Sequence, residues 1–261
     1  TEGDLVEAEM LPRRGYLGKM ARVVDNLGPA DAPGAFSALA LAEFEIRHVF
    51  ESDTLAETEG LTVPDTDGRT DLRDIAFVTI DGADARDFDD AVWAEPDGDG
   101  WRILVAIADV AHYVRPGSAL DREARLRGNS VYLPDRVVPM LPEALSNDLC
   151  SLRPNETRAA MVAEIWIDAG GEMQDSRFHR ALIRSSARLT YDAVQAVHDG
   201  TATAADIGIA PAIYGNLAGA WQALGIARAY REPLALNLKE RRVVLDDDGT
   251  PVAISKRSQS E

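Results

Sequence analysis

Short apolar runs, cut by Gly, Pro and Asp, punctuate most of this chain, and helical periodicity takes over in only a few stretches. Gly3-Asp4-Leu5-Val6-Glu7-Ala8 and Gly18-Lys19-Met20-Ala21-Arg22-Val23-Val24 predict two strands of a small β unit whose beginning is missing. Pro29 to Gly34 reads as a linker. Ala35 to Glu59 is rich in Ala, Leu and Glu and predicts helix, broken near Ile46-Arg47-His48. Val63 to Arg69 is a second polar linker, and the main domain starts near Asp71. Its predicted strands include Ala76–Ile80, Ala91–Glu95 and the strongly apolar Ile103–Ala108, the last two joined by a hairpin around Pro96–Gly100. Leu120 to Arg127 predicts a short helix with Asp121 and Glu123 in its first turn, and Val131–Leu133 a short strand. Pro134 to Arg158 carries four prolines (Pro134, Pro139, Pro142, Pro154) and reads as a long irregular loop, a kind of segment that is usually functional. Met161–Ile167 and Met173–Arg184 form a hairpin through Ala169-Gly170-Gly171. Tyr191–His198 and Ala212–Arg231 are helices, and Arg242–Leu245 with Val252–Ile254 closes a last hairpin. The expected boundaries are therefore 1–28, 29–70 and 71–261. The expected fold class is α+β, a mainly antiparallel sheet wrapped by helices.

The most informative stretch lies where one predicted strand ends and the next begins. Phe77-Val78-Thr79-Ile80 delivers Asp81, and a tight polar turn then delivers Asp87, Asp89 and Asp90 ahead of Ala91-Val92-Trp93. Four carboxylates this close repel one another unless cations neutralise them, water solvates them, or some stay protonated. Most acidic turns are simply solvated surface. Here the apolar flanks place the acids where segments enter and leave a core. A calcium EF-hand fails on spacing, because positions five and six counted from Asp87 are Ala91 and Val92. Clustered hard oxygen ligands suit Mg²⁺ or Mn²⁺, and two such ions can clamp an in-line phosphoryl displacement. Asp97-Gly98-Asp99-Gly100 and Asp246-Asp247-Asp248-Gly249 lie between strand-like runs and read as hairpin turns.

Composition narrows the class. With 46% apolar and 27% charged residues the chain is an ordinary globular sequence, with no signal peptide and no run apolar enough to span a bilayer, so the cytoplasm is the expected compartment. A single cysteine, Cys150, excludes an internal disulfide framework and a cysteine-based zinc site. The net charge of −17, from 27 Lys+Arg against 44 Asp+Glu, is awkward for a phosphate-bearing partner. Arg180 and Arg184 offset this locally: alternation puts them on one strand face, and Arg188 joins them if the strand continues. A solvated strand face is an equally good account of these arginines. His112, in an apolar stretch, is more often a structural histidine than a base. Cys150 lacks a His partner nearby in sequence and makes a poor thiol nucleophile.

Several blocks in order resemble one family. Asp71-Leu72-Arg73-Asp74 leading into Thr79-Ile80-Asp81 and Asp87-Phe88-Asp89-Asp90 resembles the catalytic domain of the ribonuclease II/ribonuclease R (RNB) family. Val105-Ala106-Ile107-Ala108-Asp109-Val110-Ala111-His112-Tyr113-Val114 is similar to its next strand. Ser130–Pro134, Val138–Pro142, Leu145-Ser146-Asn147-Asp148-Leu149-Cys150-Ser151-Leu152 and Ile183–Tyr191 are similar to later blocks. The likeness runs from about Asp71 to the end. The opening strands resemble the tail of the cold-shock (OB-like) β-barrel that precedes this domain, with a helical linker over 29–70. The family's domain continues beyond Glu261 and is followed by an S1 domain, so the chain is expected to be a fragment.

The resemblance implies a 3′-to-5′ exoribonuclease that degrades single-stranded RNA one nucleotide at a time to nucleoside 5′-monophosphates. It implies that Asp81, Asp87, Asp89 and Asp90 are the catalytic and metal-binding acids, with Asp81 and Asp90 on one Mg²⁺ directly. Tyr132 and Tyr191 occupy positions similar to the family's base-stacking aromatics, and Arg184, Ser185 and Arg188 are candidates for phosphate contact. Where some members carry a clamping phenylalanine, Ala235-Leu236-Asn237-Leu238 offers Leu238. The implied partner is single-stranded RNA, with no membrane. The implied state is a monomer, alone or within an RNA-degradation complex. Two other accounts stay open. One is a relative that binds RNA and has lost the chemistry, against which the complete set of four aspartates argues. The other is a different metal-dependent phosphoesterase, against which the downstream blocks argue.

Overall fold

The computed structural model describes residues 2–11, 20–232, 234 and 240–257. The chain divides into two compact units. The smaller gathers Thr1–Ser52, Arg122–Met140 and Leu238–Ser258. Its strands Asp4–Met10 and Ala21–Pro29 pair antiparallel, as do Val131–Tyr132 with Val137–Val138 and Glu240–Leu245 with Pro251–Arg257. Inside this unit Glu123, almost fully buried, accepts from Arg127 at 2.9 Å and from Arg47 at 3.0 Å. Arg127 also donates to the Arg47 and Val49 carbonyls, which gives the break in the predicted 35–59 helix a defined path. The helix there is Ala35–Glu43, followed by Glu45 in the left-handed region at φ 51°, and a separate short helix covers Ser52–Ala56.

The larger unit, Asp53–Asp121 with Leu141–Asn237, is built on a seven-stranded sheet. In chain order its strands are β1 (Thr70–Leu72), β2 (Val78–Asp81), β3 (Asp90–Asp97), β4 (Gly100–Ala108), β5 (Thr157–Ile167), β6 (Met173–Arg184) and β7 (Ala187–Thr190). Across the sheet the order is β7-β2-β3-β4-β5-β6-β1. The five central strands are antiparallel, while β7 runs parallel to β2 and β1 parallel to β6. The α+β, mainly antiparallel class read from the sequence is what the chain adopts. β6 and β7 lie near opposite edges yet are separated by only Ser185 and Ser186. The sheet must therefore curl to bring the two together, and the Ser186 amide donates to the Phe77 carbonyl at 2.7 Å, extending the β7–β2 pairing by one step.

The apolar run Ile103–Ala108 becomes the central strand, paired on both sides and mostly buried, with Ile107 half-exposed near its end. Leu104 and Ala106 are wholly buried, and Ala106 sits opposite Val162. Two helices follow the sheet, α1 (Tyr191–His198) and α2 (Pro211–Tyr230). Thr190 caps α1 by accepting from the Ala193 amide at 3.2 Å, and Pro211 opens α2 with a preset φ. α2 lays Ala220 and Ala223 on Ala94, Ile103 and Ile167. Small residues allow this close approach: a Cβ at Gly219 would lie 2.3 Å from Trp101 Cζ2.

Two expectations change. The segment after Ala108 turns into a short helix, Val110–Tyr113, and the Asp109 side chain that precedes it pairs with Arg69 and does not cap the helix. The proline-rich stretch 134–158 is more ordered than its composition implies, with a strand at Val137–Val138 and a π-helical turn at Leu145–Leu149. None of the described helices is long and apolar enough to cross a membrane.

Candidate active site

β2 and β3 are antiparallel neighbours with Val78 opposite Val92, so the end of one and the start of the other lie at the same edge of the sheet. Asp81 is the last residue of β2 and Asp90 the first of β3. Residues 82–89 form the loop between them and carry Asp87 and Asp89. The loop is held at nearly every turn. The Ala85 amide donates to the Gly82 carbonyl at 3.1 Å. The Ser151 hydroxyl, wholly buried, accepts from the Phe88 amide and donates to the Arg86 carbonyl, both at 3.1 Å. The Leu152 amide donates to the Phe88 carbonyl at 2.7 Å and the Ala108 amide to the Asp89 carbonyl at 2.9 Å. With both of its peptide groups bound and its ring buried, Phe88 is a fixed pivot between Asp87 and Asp89.

Ser151 is itself held by a buried arginine. Arg158 donates to the Ser151 carbonyl at 2.9 Å, to the Asp148 carbonyl at 3.0 Å and to the Asp148 carboxylate at 2.8 Å. Sequence reasoning marked the block Leu145–Leu152 without giving it a task. Its task in the fold is to present one hydroxyl and one amide to the acid loop.

The acids act on one another. The Asp81 carboxyl is raised above the usual carboxylate range, first by desolvation and then by the charge of Asp90, with Arg188 opposing. Asp89 is pushed up to about 6, again by desolvation first and then by Asp87, Asp90 and Asp81. Asp89 remains accessible to solvent, so the energetic consequence is smaller than such a shift would carry in a dry interior. Asp81 Oδ2 and Thr79 Oγ1 are both buried without a hydrogen bond of ordinary geometry, and the Thr79 hydroxyl only weakly favours the charged Asp81 carboxylate. Among the described residues no three His, Cys, Asp or Glu side chains are drawn together as metal ligands. The donor set nonetheless suits a hard divalent cation. It offers carboxylate oxygens only, one of them buried and poorly bonded, in a group whose mutual repulsion a cation would relieve.

The other predicted residues are placed less uniformly. Parallel pairing sets Thr190 opposite Asp81, so Tyr191 stands one residue beyond the carboxylate-bearing strand end, half-exposed. It also borders an apolar cavity of about 380 Å³ lined by Ile80, Val105, Leu189, Trp221 and Leu224. Arg184 is exposed at the end of β6, with Asp74 at 4.0 Å. Ser185 is buried, its hydroxyl donating to the Ala187 carbonyl at 3.1 Å, and it is not presented to solvent. Arg188 directs its guanidinium at the acid loop, donating to the carbonyls of Gly82, Ala83 and Ala85. Arg180 lies 3.5 Å from the Asp109 carboxylate. Tyr132 belongs to the smaller unit and is exposed there. Leu238 lies outside the described residues. Burial, ahead of the nearby Arg69 and Arg115 charges, lowers the His112 pKa, which favours a neutral structural imidazole. The Cys150 thiol is pushed up to about 12, by burial first and then by Asp89 and Asp109, and stays protonated.

The RNB domain family matches residues 69–261. A ribonuclease R from Acidithiobacillus ferrooxidans is 53% identical over 184 residues, covering 69% of this chain and 42% of the relative. Mycoplasma genitalium RNase R in complex with double-stranded RNA superposes with a TM-score of 0.90 at 29% identity, over 98% of this chain and 46% of that one. The same protein in complex with ribose-methylated single-stranded RNA gives 0.86 at 31% identity, over 93% and 38%. The chain thus spans less than half the length of these relatives.

Proposed function

The chain belongs to the RNB domain family, and from that premise we propose that it carries the acid centre of a 3′-to-5′ exoribonuclease acting processively on single-stranded RNA and releasing nucleoside 5′-monophosphates. The observation that carries the proposal is the pairing of strand ends that brings Asp81 and Asp90 to one edge, with Asp87 and Asp89 in a loop pinned between them. Asp81, Asp87, Asp89 and Asp90 would hold Mg²⁺, or Mn²⁺ in its place. A divalent cation bound there supplies charge neutralisation at the phosphodiester and a water of lowered pKa.

The chain's own residues supply the rest. The carboxylates orient an attacking water and shape a negative field that a divalent cation would offset. Tyr191, half-exposed beside the Asp81 strand end, offers a face for a terminal base. Such stacking contributes about 1–3 kcal/mol per base and tolerates any base. Arg184, exposed on β6, is available to a phosphate, and Tyr132 is available to a base in the smaller unit. Hydrolysis of the backbone requires no base readout, so the activity is expected to tolerate sequence. In the same reading, residues 1–28 are closing strands of a cold-shock-like barrel, 29–70 a linker and 71–261 the catalytic domain of a cytoplasmic protein.

The test is incubation of the full-length protein that contains this chain with 5′-labelled single-stranded RNA and Mg²⁺. Stepwise shortening with mononucleotide release supports the proposal; binding without shortening replaces it with an RNA-binding relative that lacks chemistry. Asp89→Asn should remove cleavage and leave RNA affinity within a few-fold, and undiminished cleavage would refute the assignment of the site.

A further inference from the structure

Arg188 does something that a phosphate-binding arginine has no need to do. Its Nη2 donates to three backbone carbonyls of one turn, Gly82 at 3.2 Å, Ala83 at 2.7 Å and Ala85 at 3.4 Å. Its guanidinium carbon lies over the Phe88 ring, 4.9 Å from the centroid. Three carbonyl dipoles converge on this one nitrogen, and a guanidinium offsets the repulsion among them, in addition to the Ala85–Gly82 bond that closes the turn. The far side of the same loop is gripped by Ser151 and Leu152 through the Phe88 peptide groups. The loop is therefore held between a buried hydroxyl on one side and a guanidinium on the other. Arg188 also has a rigid base: it sits on β7 in parallel register with Thr79 of β2, the strand that delivers Asp81.

We infer that Arg188 is a positioning residue that latches the 82–85 turn, so that Asp81 at one end of the loop and Asp87, Asp89 and Asp90 at the other are held in one constellation. The inference rests on the acid centre being the reacting site. It assigns Arg188 to the loop and away from direct phosphate contact. Arginine suits the task because a planar fork can bond carbonyls at its edge and stack on an aromatic face at once. A lysine ends about one bond short of Nη2 and has no plane to stack.

The experiment compares Arg188→Met and Arg188→Lys with the unaltered full-length protein by three measurements. These are amide exchange at Ala85, Mn²⁺ affinity by calorimetry, and single-stranded RNA affinity as a function of salt. The latch predicts that Ala85 exchange accelerates about ten-fold or more in Arg188→Met and that Mn²⁺ affinity falls about 10- to 100-fold, the usual range for a lost supporting partner. RNA affinity and its salt slope stay within two-fold, and Arg188→Lys falls between. Cleavage, where measured, drops in kcat with KM unchanged. A loss of RNA affinity, with the salt slope reduced by about 0.7 and with Ala85 exchange and Mn²⁺ affinity intact, identifies a phosphate contact and overturns the latch. No change in any of the three also overturns it. If Arg188→Met unfolds, Arg188→Lys decides by the same readouts. If the unaltered protein leaves RNA intact, the nuclease reading fails, while Ala85 exchange still decides whether Arg188 holds the turn.

Discussion

Two aspartates stand at strand ends of the same sheet and have opposite fates. Asp109 follows β4 and is almost completely buried, with the equally buried Arg69 at 2.7 Å and Arg180 at 3.5 Å. Asp81 ends β2 with one oxygen buried and poorly bonded, and its strongest neighbouring charge is another acid, Asp90. Residue type, strand position and apolar flanks are alike. What differs is that Asp109 has an arginine in direct contact, whereas at Asp81 the charge of Asp90 and burial outweigh the opposing Arg188. A buried acid with its own arginine is structural. A partly buried acid set against further acids must be solvated, protonated or neutralised by a cation, and that marks it as a candidate functional group.

Truncating both residues is the strongest way to break this comparison. Asp109→Ala leaves the Arg69 guanidinium buried and unpaired, and is expected to cost about 3–5 kcal/mol in denaturant unfolding. Asp81→Ala relieves repulsion, so metal-free stability should stay the same or rise, while RNA cleavage falls by about 10²–10³ or more. Equal destabilisation by the two would erase the distinction between a structural and a functional acid.

Ser151→Ala sharpens it from the scaffold side. It strips the Phe88 amide of its partner inside the protein, which costs about 1–3 kcal/mol. Cleavage should fall further than that stability loss explains, because the loop carrying Asp87 and Asp89 is freed. Full cleavage in a folded Ser151→Ala chain would show that charge alone arranges the acids.

The smallest expected effect is a pH dependence. Asp89 is raised from 3.8 to about 6, so the folded chain holds that proton more tightly than the unfolded chain does. The resulting stabilisation is complete below the unfolded value and is lost as pH rises through about 6; Asp81, also raised, has the same sign. Thermal melts in EDTA should therefore show a decline from pH 5 to pH 7, screened by solvent to a few degrees at most. Mg²⁺ should flatten this decline, and so should Asp89→Asn. A metal-free chain that gains stability over that interval would contradict the acid cluster's repulsion.

Much of this was legible along the chain. The turn Pro96–Gly100 closes its hairpin between β3 and β4, and Ala169-Gly170-Gly171 joins β5 to β6. Local turn chemistry and period-two burial suffice for such features. The loop acids were visible for the same reason, since they are neighbours in sequence. Arg188 shows where this stops. Its alternation with Arg184 suggested a shared basic face, yet one lies by Asp74 and the other on the carbonyls of Gly82, Ala83 and Ala85.

The sequence by itself determined the strands, the turns and the gathering of four carboxylates, because each depends on residues a few positions apart. Only the tertiary structure decided which charges are answered. Ser151 reaches Phe88 across 63 positions and Arg69 reaches Asp109 across 40. Contacts of that range depend on how the curled sheet sets its register, and no local pattern of hydrophobic and polar residues encodes the distance between two side chains brought together that way.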